Sequence, residues 1–206
     1  MNAAQLDAVT IDAFGTLVAL VDPVPALTAA LADRNVAREH DAVLDGFRIE
    51  VAHYVEHVSE GRDEPGLARL QRDCARVFLE AVDADLDADE FAPAFANAMK
   101  FEVLDGVAAA LDRLQSLGLE LAVAANWDLS LRAQLDAVGL TRHFRVIVHA
   151  AAKPAPDGLL RALGELGVAP ARALHVGDDD ADEAAAAAAA MHYAAAPLAS
   201  AVADLS

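Results

Sequence analysis

From residue 105 onward the sequence alternates short apolar runs with amphipathic stretches, a pattern that few folds can accommodate. The spacing predicts helices over 105–117 and 129–138, and a third from the Lys153-Pro154-Ala155-Pro156 loop to Leu166. Gly118, Gly139 and Gly167 close these helices. Strands are expected over 119–125, 144–148 and 173–176, followed by an alanine-rich helix and a last strand at 192–195. Strands joined through helices form a parallel sheet with right-handed crossovers, so the expected class is α/β. A further strand, Val9 to Asp12, stands alone at the start of the chain. Between it and the alternating region lie only helical patterns, over 24–34, 41–60, 67–82 and 87–100, with a bend expected at Pro93. The helical block reads as an insertion capping the sheet's edge. The expected organisation is a core from 1–20 and 101–206 and a helical domain over 21–100.

Composition narrows the function. The chain has 206 residues, 56% of them hydrophobic, yet no apolar run approaches the ~18–20 residues of a membrane span. Asp7 and Asp12 interrupt the apolar start, so no signal peptide is expected. Cys74 is the single cysteine, which excludes an internal disulfide and fits a cytoplasmic setting. A net charge of −18 argues against nucleic acid and anionic membranes as partners. A small anionic substrate stays open, because a local metal or lysine reverses the field inside a pocket.

Chemistry-bearing residues converge on one rim. Asp12, Asn126, Lys153 and Asp178 all fall at or just beyond the C-terminal ends of expected strands, and a parallel sheet gathers those ends together. Asp12 can serve there as a nucleophile, a metal ligand, or both. The two Asp residues can hold Mg²⁺, and Lys153 can neutralise the nucleophile and phosphate oxygens. Thr16 and Asn126 can orient an anionic group.

These residues carry a family likeness. Asp12-Ala13-Phe14-Gly15-Thr16 resembles the first motif of the haloacid dehalogenase (HAD) superfamily of hydrolases, and Ala125-Asn126-Trp127-Asp128 the second. Lys153-Pro154 resembles the third, and Gly177-Asp178 with Asp182 the fourth. The helical block resembles the α-helical cap inserted after the first motif in one subgroup. The resemblance implies a Rossmann-like parallel-sheet core, Asp12 forming a covalent aspartyl intermediate, Lys153 as charge stabiliser and Mg²⁺ as cofactor. It implies metal ligation by Asp12, the Phe14 backbone carbonyl and Asp178, with Asp182 assisting directly or through another ligand and Asp179 competing for that role.

The sequence departs from the family pattern twice. Phe14 stands where the family's phosphatases carry a second Asp for proton transfer, and loss of such a group typically costs ~10²–10⁴ in rate. Ala125 stands where the motif supplies a Ser or Thr hydroxyl. A Mg²⁺-dependent phosphatase acting on a small phosphorylated metabolite is the leading expectation. One alternative is a metal-independent 2-haloacid dehalogenase, whose cap Arg that receives halide and Tyr six residues later match Arg48 and Tyr54. That pair also reads as an ordinary helix Arg and a half-buried Tyr, and Gly177-Asp178 is not the dehalogenase pattern. The other alternative is a catalytically weak binding protein. Asp128 is expected to cap a helix-opening turn beside Trp127, His53 and His57 to be solvated, His175 to be a packed core residue and Cys74 to be structural.

Overall fold

Four consecutive fully buried residues, Ala8–Ile11, form β1, and the sheet is built outward from them. The computed structural model describes residues 5–203 and residue 205. Its five-stranded sheet contains β1, β4 (Glu120–Ala124), β5 (Val146–Val148), β6 (Ala173–Gly177) and β7 (His192–Ala195). The order is β5-β4-β1-β6-β7, and every pairing is parallel. Ile11 is in register with Val123 on one side and Val176 on the other, so these strands end level with one another. The expected parallel α/β core is therefore present.

Alternation along the strands separates two apolar layers. Val9, Ile11, Leu121, Val123, Leu174 and Val176 pack with α5 (Val107–Ser116) and α6 (Leu131–Ala137). Ala8, Ala122, Ala124 and Ala173 share the other layer with α7 (Asp157–Leu166) and α8 (Asp180–Ala188). Small side chains on this face match the alanines of α8, which explains that helix's composition. Each fully buried Leu or Val contributes roughly 1.5–3 kcal/mol to burial.

The chain divides into two compact units, residues 1–19 with 101–206 and residues 20–100. Two short strands, β2 (Val18–Leu20) and β3 (Phe101–Val103), pair in a separate sheet. Three residues each are too few for the apolar pattern to reveal. The second unit contains α1 (Val24–Ala32), α2 (His40–His57), α3 (Glu64–Ala81) and α4 (Ala88–Ala98). Its core centres on Phe78, stacked on Phe91 at 6.0 Å and tilted against Phe95 at 5.3 Å. A Cβ on Gly46 would lie 2.4 Å from Val82, so the close packing there requires glycine. α3 begins at Glu64, ahead of the expected Leu67, because Asp63 accepts the Gly66 N–H at 2.8 Å and Pro65 suits a first helical turn. Among the described residues no helix is long and apolar enough to cross a membrane.

Two sequence expectations change. His53 and His57 are not solvated: both are half-buried, their rings stack at 4.1 Å, and His53 Nε2 is buried without a partner among the described residues. Asp128 accepts the Ser130 N–H at 2.8 Å, and α6 starts only at Leu131, so it closes a turn ahead of the helix. Trp127 is buried against Phe101. Cys74 is a buried thiol, as expected.

Glu50 is an unexpected carboxyl in the helical core, 4% exposed. Burial pushes it up to about 7 from 4.5, opposed by a hydrogen bond from the Cys74 thiol. The unfolded chain ionises first, so the protonated folded state loses stability as pH rises from about 4.5 to 7 and carries the full penalty above that. Glu50→Gln should therefore stabilise the protein by ~1–3 kcal/mol at pH 8 and by almost nothing at pH 4.5. Urea unfolding of both forms at the two pH values measures this, and a difference independent of pH would refute it.

Candidate active site

Asp12 follows β1 directly, and its N–H continues the ladder by donating to the Val176 carbonyl at 2.9 Å. The next residues turn sharply. Gly15 N–H donates to the Val18 carbonyl, and the Leu17 and Val18 N–H groups to the Ala13 carbonyl, each at 2.9 Å. None of these bonds uses the Phe14 carbonyl. Gly15 has φ of +78°, and a Cβ there would come within 2.2 Å of Asp178 Oδ2. Glycine is thus required twice over, by backbone and by neighbour. The Phe14 ring is 53% exposed.

Lys153 is buried in the loop after β5. Its ammonium donates to Oδ1 of Asp12 and Oδ1 of Asp182. The loop is held by Asn126, whose Oδ1 accepts the Lys153 N–H and whose Nδ2 donates to the Lys153 carbonyl, both at 2.9 Å. Asn126 thus positions Lys153, and its exposed amide keeps a second N–H beyond these two bonds. An Asn after one strand and a Lys in the loop after the next are far apart in sequence, and nothing in their types signals this pairing.

Gly177 and Asp178 close β6. A Cβ on Gly177 would lie 2.1 Å from Asp182 Cγ, so glycine admits that carboxylate. Asp182 is 1% exposed and surrounded by donors. Its Oδ1 takes Lys153 Nζ and His175 Nε2, the latter at 2.9 Å, and its Oδ2 takes the N–H groups of Asp178 at 3.2 Å and Asp179 at 3.4 Å. A carboxylate has about four acceptor positions, and all are filled. Burial alone would raise Asp182, but the His175 hydrogen bond and the Lys153 ammonium outweigh it and hold the carboxyl far below its ordinary range. Asp179 accepts the Asp182 N–H at 2.9 Å as the N-cap of α8, and it is not one of the three carboxylates that gather at Asp12.

Asp178, by contrast, is exposed, and among the described residues its one side-chain partner is the Thr16 hydroxyl at 3.4 Å. Burial of the carboxyl and repulsion from Asp182 and Asp179 push it above its ordinary value. Burial pushes Asp12 up to about 6, with Lys153 opposing. One oxygen from each of Asp12, Asp178 and Asp182 lies within 4.8 Å of the others. This oxygen-only, electrostatically crowded set suits a hard divalent cation such as Mg²⁺. Asp12 and Asp178 carry fewer hydrogen bonds than Asp182, which stands as the third carboxylate of the set, able to assist directly or through another ligand. A cleft of about 360 Å³ opens beside Thr16 and Asp178, walled by Leu104, Val107 and Pro197.

Arg48 belongs to the helical unit, where its exposed guanidinium pairs with Asp45 at 3.0 Å. His175, expected to be simple packing, is fully buried but has polar partners on both sides of its ring. A histidine inside an otherwise apolar strand was the one available sign.

A family model described as haloacid dehalogenase-like hydrolase matches residues 6–190. The haloacid dehalogenase-like hydrolase domain-containing protein 3 of Mus musculus is 36% identical over 95 residues, which is 44% of this chain and 38% of that protein. The alignment thus spans little more than a third of that relative's length. Among solved structures, an L-2-haloacid dehalogenase from Xanthobacter autotrophicus, with chloropropionic acid covalently bound, has a TM-score of 0.64 and 22% identity. That match covers 91% of this chain and 76% of the other. A HAD phosphatase from Thermococcus onnurineus has a TM-score of 0.58 and 21% identity, covering 91% and 85%. At such identities the structural likeness establishes the fold alone.

Proposed function

The chain belongs to the haloacid dehalogenase-like hydrolases, and from that premise we propose that it is a Mg²⁺-dependent phosphatase acting on a small phosphorylated molecule through Asp12. The observation that carries this reading is Asp178, an exposed carboxylate crowded against two others and lacking a cationic partner of its own among the described residues. Carbon–halogen displacement by Asp12 has no use for such a group, whereas phosphoryl transfer does.

Asp12 would attack phosphorus with the oxygen that Lys153 leaves free, forming an aspartyl phosphate as the bond to the leaving oxygen breaks. Lys153 keeps the other oxygen fixed, and its charge offsets the phosphate's approach to a buried carboxylate. Asp12, Asp178 and the Phe14 carbonyl would hold the cation, which when bound neutralises phosphate oxygens. Thr16 orients Asp178. With Asp178 given to the cation, none of the other described groups of the core unit around Asp12 is placed to carry a leaving-group proton. His175 is sealed in the sheet, Asp182 is saturated and Lys153 sits between two carboxylates. The favoured substrates are therefore those whose leaving group departs as a stable anion.

p-Nitrophenyl phosphate with Mg²⁺ should show weak turnover, lost in EDTA and restored by added Mg²⁺. Halide release from 2-chloropropionate in EDTA would replace this reading with the dehalogenase. Absence of both activities, with no Mg²⁺ bound by calorimetry, would leave the binding-protein alternative.

A further inference from the structure

Thr10 on β1 and His175 on β6 are register partners, and both are fully buried. Thr10 Oγ1 lies 2.9 Å from His175 Nδ1, and His175 Nε2 lies 2.9 Å from Asp182 Oδ1. An ionised carboxylate only accepts, so Nε2 carries the hydrogen toward Asp182, while Nδ1 faces both the Thr10 hydroxyl and, at 3.1 Å, the Thr10 carbonyl. Asp182 Oδ1 is shared with the Lys153 ammonium, which also reaches Asp12. The chain of contacts therefore leaves β1 at Thr10, crosses β6 and the first turn of α8, and returns through Lys153 to Asp12, the residue just past β1.

We infer that His175 is a positioning residue for the nucleophile: backed by Thr10, it fixes the Asp182 carboxylate that holds the Lys153 ammonium against Asp12. The inference rests on the reading of Asp12 as nucleophile given above. His175 and Thr10 occupy the sheet face lined elsewhere by Ala8, Ala122, Ala124 and Ala173, where a polar pair is costly unless fully partnered. Lysine is a point charge on a flexible four-carbon stem, so its place depends on the groups that receive it. Without His175, Oδ1 of Asp182 would keep Lys153 as its only donor, and Oδ2 would keep two longer N–H contacts, at 3.2 and 3.4 Å. That carboxylate could then turn and draw the ammonium away from Asp12. His175 is itself sealed from solvent and does not touch substrate.

The test compares His175→Leu, which fills the space, with His175→Gln, whose amide can still donate to Asp182. Since a misplacement near 1 Å costs on the order of 10² in rate, His175→Leu should lower kcat by about 30–100-fold. KM should change less than about threefold, and His175→Gln should recover most of the loss. A ¹⁵N-edited NMR spectrum of the wild-type protein should show the imidazole in its Nε2–H tautomer, a signature that packing alone does not require. Equal kcat for folded Leu and Gln variants, or an imidazole with no hydrogen on Nε2, would overturn the inference. Should His175→Leu fail to fold, His175→Val decides: it removes every donor that this position offers Asp182, with less bulk, and an unchanged kcat would count against positioning. The two readings also fail separately. Activity surviving in Asp12→Asn sinks the nucleophile assignment, whereas a dead Asp12→Asn beside a fully active His175→Leu sinks only the role of His175.

Discussion

Asp12→Asn should reduce hydrolysis of p-nitrophenyl phosphate by about 10⁴-fold or more, as removal of a covalent nucleophile does elsewhere. Asparagine keeps the shape of the side chain and an oxygen for Lys153, so the substitution removes nucleophilicity and charge but little packing. Lys153 keeps its second carboxylate in Asp182, and the ammonium is not left unpaired. Burial of the Asp12 carboxylate works against folding, because it raises the group to about 6. The variant should therefore melt at the wild-type temperature or above it. Lost activity with a preserved or raised melting temperature separates lost chemistry from lost fold. Retained turnover would remove Asp12 from the mechanism.

The fold was legible because the alternation after residue 105 is strong and the C-terminal glycines mark where helices stop. The level strand ends in turn made the rim legible: Asp12, Lys153 and Asp178 come together as the sheet order requires. Roles within the rim were not legible, because they depend on which lone pairs are already taken. Asp182 and Asp178 are the same residue type four positions apart. One has two donors on each oxygen, whereas the other has a weak contact from Thr16. Asn126 and His175 act on Lys153 and Asp182 across separations of 27 and 7 residues, and no local pattern encodes such contacts. Glu50 was invisible for a related reason. A glutamate on an amphipathic helix reads as solvated unless the partner helix is known, and here Cys74 of α3 faces it.

Phe14→Asp should raise activity on alkyl phosphates by roughly 10²–10³-fold, with a much smaller change on p-nitrophenyl phosphate. The difference follows from where the proton must go. An alkoxide is a poor leaving group unless protonated as the bond breaks, while p-nitrophenolate departs unaided. The wild-type rate should accordingly fall steeply as leaving-group basicity rises across a series of phosphate esters, and the variant's rate should fall much less. Position 14 is well suited to the change. The Phe14 ring is 53% exposed, so its loss removes little packing and a carboxyl there stays solvated and able to exchange protons. The turn it belongs to is held by the backbone of Ala13, Gly15, Leu17 and Val18, which the substitution does not alter. Parallel gains on alkyl and aryl esters would mean that removing the ring improves access. No gain on either would mean that proton transfer does not limit the rate. A selective gain on the poor leaving groups would identify Phe14 as the residue that confines this hydrolase to substrates able to leave as anions.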